Sequence, residues 1–224
     1  MSQNRHYVLF SVVAVLLIYA LFAVDANFAR FSSTPIKSAV DDRTYFVVER
    51  FNDKQRAADF IANINKFAAE FVGALGKEYG PHGRKHDTHD ANSAKGRYFY
   101  RILAQRYDPR YTTENDPPGP DSTSFNKNKG EEISLCLREK KSGNDHLHDE
   151  DLLKFVMLHE LVHTVTPGSE HPAIFWENFK FVLEFCEHVG LYTSKDYYLD
   201  HTTYCGMTIR YNPRYDPKIK SYWG

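Results

Sequence analysis

The run FVMLHELVHTV at residues 155–165 constrains this chain more than any other segment. It reads as an apolar helix into which three polar groups are set: His159, Glu160 and His163. The histidines are four residues apart, so on a helix both imidazoles project from one face, one turn apart. A carboxylate and two imidazoles inside an apolar helix are costly to bury without partners. A single ion shared by the two imidazoles removes that cost, and zinc takes histidine nitrogen at about 2.0–2.1 Å. Glu160 follows the first histidine directly, where it can reach water at the ion without being a ligand. Zinc lowers the pKa of water that it binds from 15.7 to about 7. A neighbouring carboxylate then serves as general base and can return the proton to a leaving amine.

A catalytic zinc takes three protein ligands and keeps one open position. Pro167-Gly168 breaks the helix, so the chain can turn back beneath the metal. His171 follows, just ahead of the next helix, and is the preferred third ligand. Its rivals are Glu170 and, on the following helix, Glu177 and Glu184.

The flanking sequence reads as an α+β domain. Residues 44–48 (TYFVV) are β-branched and aromatic, as a short strand requires. Asn52 or Asp53 can cap a long helix whose apolar residues, among them Ala57, Ile61, Ile64, Ala68, Phe71 and Leu75, recur at steps of three and four. Gly80-Pro81 stops it. Residues 82–97 read as a polar loop in which His82, His86 and His89 are exposed. Residues 98–107 suit a strand or a short helix equally, and the prolines at 109, 117, 118 and 120 make residues 108–130 a loop. In residues 132–138 (EISLCLR), Ile133, Leu135 and Leu137 face one way and Ser134, Cys136 and Arg138 the other, a half-buried strand. Asp145 or Asp149 caps the histidine helix. Pro172 opens one more helix, which ends near Gly190.

Ahead of this domain, residues 7–24, Tyr7 through Val24, carry no charge. As a helix they would span about 27 Å, close to the hydrocarbon thickness of a bilayer. The expected organisation is a membrane anchor (or signal peptide) at 1–24, a linker at 25–43 and one domain at 44–224. The anchor is preferred because signal-peptide cores are shorter. Arg5 on one side and Arg30 and Lys37 on the other leave its orientation unassigned. The formal charge is −1. Phosphate binding usually draws on a basic surplus, so no nucleic acid is expected as a partner. The three cysteines, Cys136, Cys186 and Cys205, are too scattered for a disulfide framework, and three buried thiols are preferred to one bridge.

The strand ISLCLR followed by FVMLHELVHTVTPGSEHPAIFWENFKFVLE resembles the WLM family of zinc metallopeptidases, relatives of the SprT-like group. The matching positions are His159, Glu160, His163, His171 and the aromatic pair Phe175-Trp176. The resemblance implies a zincin-like metallopeptidase domain, in which a small sheet packs on an active-site helix and a long backing helix. It implies Zn2+ held by His159, His163 and His171, Glu160 as catalytic base, and hydrolysis of a peptide or protein substrate. It further suggests that Ile133, Ser134, Leu135, Cys136, Leu137 and Arg138 form the edge strand beside which substrate pairs. The segment from Tyr204 to Ile209 is similar to one in peptidases of large DNA viruses. The expectation is a membrane-anchored endopeptidase at a virion or host membrane. The competing reading is a non-catalytic membrane-bound structural protein, which would not need Glu160. Tyr198, Tyr204 and Tyr211 are possible oxyanion donors by analogy with other zinc peptidases, although tyrosines that pack the tail onto the domain are the preferred reading.

Overall fold

Steps of three and four apolar residues produce the longest element, helix α1 (Lys54–Tyr79). Ala57, Ile61, Ile64, Ala68, Phe71 and Leu75 are fully buried along it. Gly80 ends it, its N–H donating to the Gly76 carbonyl at 2.9 Å. Asp53 stands at its start without capping it. That carboxylate instead accepts from the Arg138 guanidinium at 3.0 Å, and Arg138 also donates to Glu114 at 2.9 Å. The computed structural model describes residues 33–115, 123–139, 146–168 and 170–223.

Helix α2 (Ala91–Arg106) covers much of what reads as a polar loop and settles residues 98–106 as helical. Asp90 caps it, accepting from the N–H groups of Asn92 and Ser93 at 2.9 and 3.0 Å. Only Ser93, Gly96, Phe99 and Leu103 are buried on it, too narrow a stripe to announce a helix. Gly96 is required because the Tyr79 ring occupies the space of a side chain there. Helix α3 (Glu150–Val165) carries the histidine motif and is capped by Asp149, with acidic Glu150 and Asp151 in its first turn. Helix α4 (Ala173–His188) follows Pro172. Helix α3 packs against α1, α2 and α4. Ring pairs such as Phe71 with Phe185, Phe99 with Phe181 and Phe155 with Phe179 fill the space between them.

Strands β1 (Ser33–Lys37) and β2 (Thr44–Val48) form an antiparallel hairpin. The domain therefore includes residues 33–37, which the sequence reading assigned to the linker. Strands β3 (Thr112–Glu114), β4 (Phe125–Lys127) and β5 (Glu132–Leu135) form a second sheet in the order β3-β5-β4. β3 runs parallel to β5 and β4 antiparallel to it. A last hairpin joins β6 (Thr202–Tyr204) to β7 (Met207–Ile209). Its two turn residues, Cys205 and Gly206, both take positive φ, 50° and 83°, as a tight two-residue hairpin favours.

Three expectations are corrected. First, residues 133–138 are neither half-buried nor an edge. All six are buried, and strand β5, which contains residues 133–135, is central, paired on both sides. Ser134 bonds across to Thr113, Cys136 is bridged, and Arg138 lies over the Phe51 ring at 4.2 Å, so its polar face has protein partners instead of solvent. The edge strands of this sheet are β3 and β4. Second, Cys136 and Cys205 form a disulfide, with Cα atoms 6.1 Å apart, and only Cys186 is a buried free thiol. Third, the membrane localisation is withdrawn. No helix among the described residues is long and apolar enough to cross a membrane, and residues 7–24 lie outside the described residues.

The disulfide ties the end of the central strand to the β6–β7 hairpin across 69 residues. A cross-link over a loop of that length contributes about 2–4 kcal/mol, chiefly by restricting the unfolded chain. Cys205→Ser, or reduction of the native protein, is expected to lower stability by that amount. Denaturant unfolding with and without reductant measures it, and equal midpoints would show that the bridge contributes nothing.

Candidate metal centre

His159 and His163 project from α3 toward the segment that leads into α4, and His171 on that segment meets them. The three Nε2 atoms form a nearly equilateral triangle, with separations of 3.2, 3.0 and 3.1 Å. Nitrogens at the corners of such a triangle cannot point straight N–H bonds at one another, so mutual hydrogen bonding does not satisfy them. A shared cation does. Tetrahedral ligation at about 2.0–2.1 Å places ligand nitrogens roughly 3.3–3.4 Å apart, within a few tenths of an ångström of the spacing here. Among the described residues this is the only cluster of three or more histidine, cysteine or carboxylate groups so arranged.

The electrostatics agree with a donor role. Burial, reinforced by the two neighbouring imidazoles, holds His159 well below the usual histidine range. Burial, then His171 and Lys129, bring His163 down to about 4. Burial also lowers His171, partly opposed by Glu170. Neutral imidazoles are the form that binds metal. Aromatic contacts fix the rings: Phe175 lies within 4.5–4.9 Å of all three, and Trp176 lies 5.4 Å from His171.

Glu160 is buried, and its Oε2 has no hydrogen-bond partner among the described residues. Burial alone pushes its carboxyl up to about 8. A cation beside it would favour the ionised form. The rival ligands stand elsewhere. Glu170 is exposed, and neither it nor Glu177 joins the cluster. Glu184 accepts from Ser221 at 2.8 Å and from the Tyr222 N–H at 2.7 Å, which pins the C-terminal tail. The loop histidines His82, His86 and His89 are exposed.

The helix end that bears the site is clamped by the turn between β4 and β5. Asn128, Lys129 and Gly130 take positive φ in succession, 47°, 61° and 106°. That conformation sends Lys129 Nζ to the carbonyls of His163 at 2.9 Å, Thr166 at 2.6 Å and Gly168, a cation at a helix C-terminus. Asn126 donates to the Glu160 carbonyl and to Thr164 Oγ1, both at 2.7 Å. Sequence reasoning did not single out Asn126 or Lys129. The Asn-Lys-Gly run is a hairpin signal that could have placed a strand ahead of it.

Of the three tyrosines considered, Tyr198 is 75% exposed and does not reach the site. Tyr211 lines the cavity beside His159, with its hydroxyl on Asp216 at 2.8 Å. Tyr204 also lines it, buried against His148, its hydroxyl bonded to Ser124 Oγ. Burial raises the Tyr204 phenol above its ordinary range, so it stays a neutral donor. Ser124 Oγ in turn accepts from the Cys136 N–H at 2.9 Å, which links this wall to the central strand.

Comparison with known proteins places these features in a family. The WLM domain model matches residues 98–214, from helix α2 to the segment after β7. An uncharacterized protein of Acanthamoeba polyphaga mimivirus is 28% identical over 210 residues, covering 91% of this chain and 95% of that one. An uncharacterized protein of Invertebrate iridescent virus 6 is 38% identical over 74 residues, covering 33% of this chain and 40% of that one. Among solved structures, Wss1 from Saccharomyces cerevisiae is 20% identical with a TM-score of 0.42, covering 64% of this chain and 89% of that one.

Proposed function

The chain belongs to the WLM family, with relatives in large DNA viruses and a metallopeptidase-like α+β fold, and from that premise we propose that it is a zinc-dependent endopeptidase. The observation that carries this reading is the convergence of three neutral imidazoles beside a buried carboxylate oxygen without a hydrogen-bond partner. His159, His163 and His171 would hold the ion through Nε2. Zinc supplies Lewis acidity there, polarising a peptide carbonyl and making water nucleophilic at neutral pH.

The chain's own groups do the rest. Glu160 takes a proton from water on Oε2 and delivers it to the amine that leaves. The Tyr204 hydroxyl, a neutral donor on the same cavity wall, can donate to the carbonyl oxygen as charge develops on it. Lys129 and Asn126 hold the helix end and keep the imidazoles and the carboxylate in register. Substrate is laid along the free edge of β4 as an added strand, which replaces residues 133–138 in that role.

The reading is tested by metal content and chelation. The purified protein is expected to hold one zinc per chain by elemental analysis. It should cleave an unstructured protein, lose that activity to a zinc chelator and regain it with added zinc. Cleavage that persists in the metal-free protein would sink the proposal.

A further inference from the structure

The β6–β7 hairpin lends side chains to the metal centre, yet its strands belong to neither of the other sheets. Tyr204, Met207 and Ile209 line the cavity that His159 and Glu160 also line. Among the described helices and strands, β6 and β7 make extensive contact only with each other. A two-stranded hairpin on its own is marginally stable at best, so this wall needs anchors. The covalent anchor is the Cys136–Cys205 bridge, which joins the residue after β5 to the turn of the hairpin. Cys205 directly follows Tyr204. Resting on the endopeptidase reading, we infer that this bridge is a redox switch. Its formation seats the Tyr204 wall at the metal centre and turns cleavage on, and its reduction releases that wall and turns cleavage down.

Both ends of the bridge lead to Ser124. Its Oγ accepts from the Cys136 N–H at 2.9 Å and is bonded to the Tyr204 hydroxyl. The cross-link and the phenol therefore belong to one small unit, and a shift of the turn moves the phenol off Ser124. The hairpin's other anchors include two hydrogen bonds at the same turn. The Cys205 N–H donates to His148 Nε2 at 3.3 Å, and the Gly206 N–H donates to Glu139 Oε1 at 2.7 Å. Water can replace either partner, so such bonds contribute little net hold once the covalent tether is gone. The bond forms by exchange with a disulfide oxidant. One cysteine thiolate attacks the oxidant to give a mixed disulfide, and the other cysteine thiolate then displaces it. The two thiols give up two electrons and two protons, and the oxidant leaves as two thiols. A thiol reductant runs the same steps in reverse. Once bridged, Cys136 and Cys205 are only 3% and 0% exposed, so exchange starts from the released hairpin and the closed state persists. Surroundings that keep thiols reduced hold the peptidase down, and oxidising ones activate it.

The test compares one zinc-loaded preparation in two states. It is purified in a phosphine reductant, and half is then oxidised with glutathione disulfide. Thiol counting under denaturing conditions verifies the states, with three thiols in the reduced chain and one, that of Cys186, in the bridged chain. Zinc content, amide hydrogen exchange and peptide cleavage are measured on both. Reduction is expected to leave the zinc and the protection of α3 unchanged while exchange across residues 202–209 becomes faster. Cleavage should fall roughly tenfold to a hundredfold, less than the ~10²–10³-fold cost of deleting an oxyanion donor, because a released tyrosine still visits its place. Oxidation should restore the rate. A Cys136→Ser/Cys205→Ser double variant should stay slow under both conditions, and if it does not fold, the two states of the wild type carry the test. Equal cleavage in both states would overturn the switch and leave the peptidase reading standing. Unchanged exchange across residues 202–209 would overturn it whatever the cleavage result. Loss of zinc or of α3 protection on reduction would overturn it as well, since the bridge would then only stabilise the whole domain. A hairpin that loosens on reduction in a protein that cleaves nothing when oxidised would support the release and sink the peptidase reading instead.

Discussion

Glu160→Gln is expected to keep its zinc and to lose peptide cleavage by roughly 10²–10⁴-fold, the contribution of a positioned general base. The substitution conserves shape in a fully enclosed position. It leaves the helix bonds intact, because Asn126 holds the main-chain carbonyl of residue 160 and not its side chain. The three Nε2 donors belong to other residues, so metal binding does not depend on the carboxylate. What is lost is one function: an amide cannot accept a proton at the position of Oε2. Elemental analysis and turnover of a single fluorogenic peptide, measured on the same preparation, check the two halves together. A variant that retains zinc and cleaves at the wild-type rate would remove Glu160 from the chemistry. A variant that loses both would make it a structural residue.

The helices that bear the site were legible because each carries a strong local signal. The stripe of α1, the capping aspartate and apolar run of α3 and the proline entry to α4 are all properties of neighbouring residues. Where the determinant was long-range, local reading failed. Nothing in a separation of 69 residues announces that Cys136 and Cys205 meet. The alternation of residues 132–138 announced a strand, which forms over Glu132–Leu135, but could not place it in the sheet. Its central position depends on three-residue partners, β3 and β4, buried in a proline-rich stretch too short to show periodicity. The Ser124–Tyr204 wall was concealed by range as well, since it depends on a contact across 80 residues. Helix α2 failed for another reason: a glycine on its buried stripe, where Tyr79 needs the space, dilutes the pattern that would mark a helix.

His171 joins the metal centre from outside the helix, so its substitution separates assembly of the site from folding of the scaffold. His171→Ala is expected to reduce zinc affinity by more than the ~10–100-fold that loss of an outer-shell partner costs. Two nitrogens four residues apart on α3 would remain, with no third protein donor in the cluster. Stability without metal should change little, because the ring is exposed at the rim and rests on Phe175 and Trp176 rather than within the core. Glu184→Ala should give the opposite pattern. It leaves the triad untouched but removes the acceptor for Ser221 and the Tyr222 N–H, a buried group whose loss costs about 1–3 kcal/mol. Competition with a chromophoric chelator reads zinc affinity, and denaturant unfolding reads stability. If His171→Ala bound zinc as tightly as the wild type while Glu184→Ala lost it, the third ligand would be a glutamate and the triangle of imidazoles would lose its meaning as a metal site.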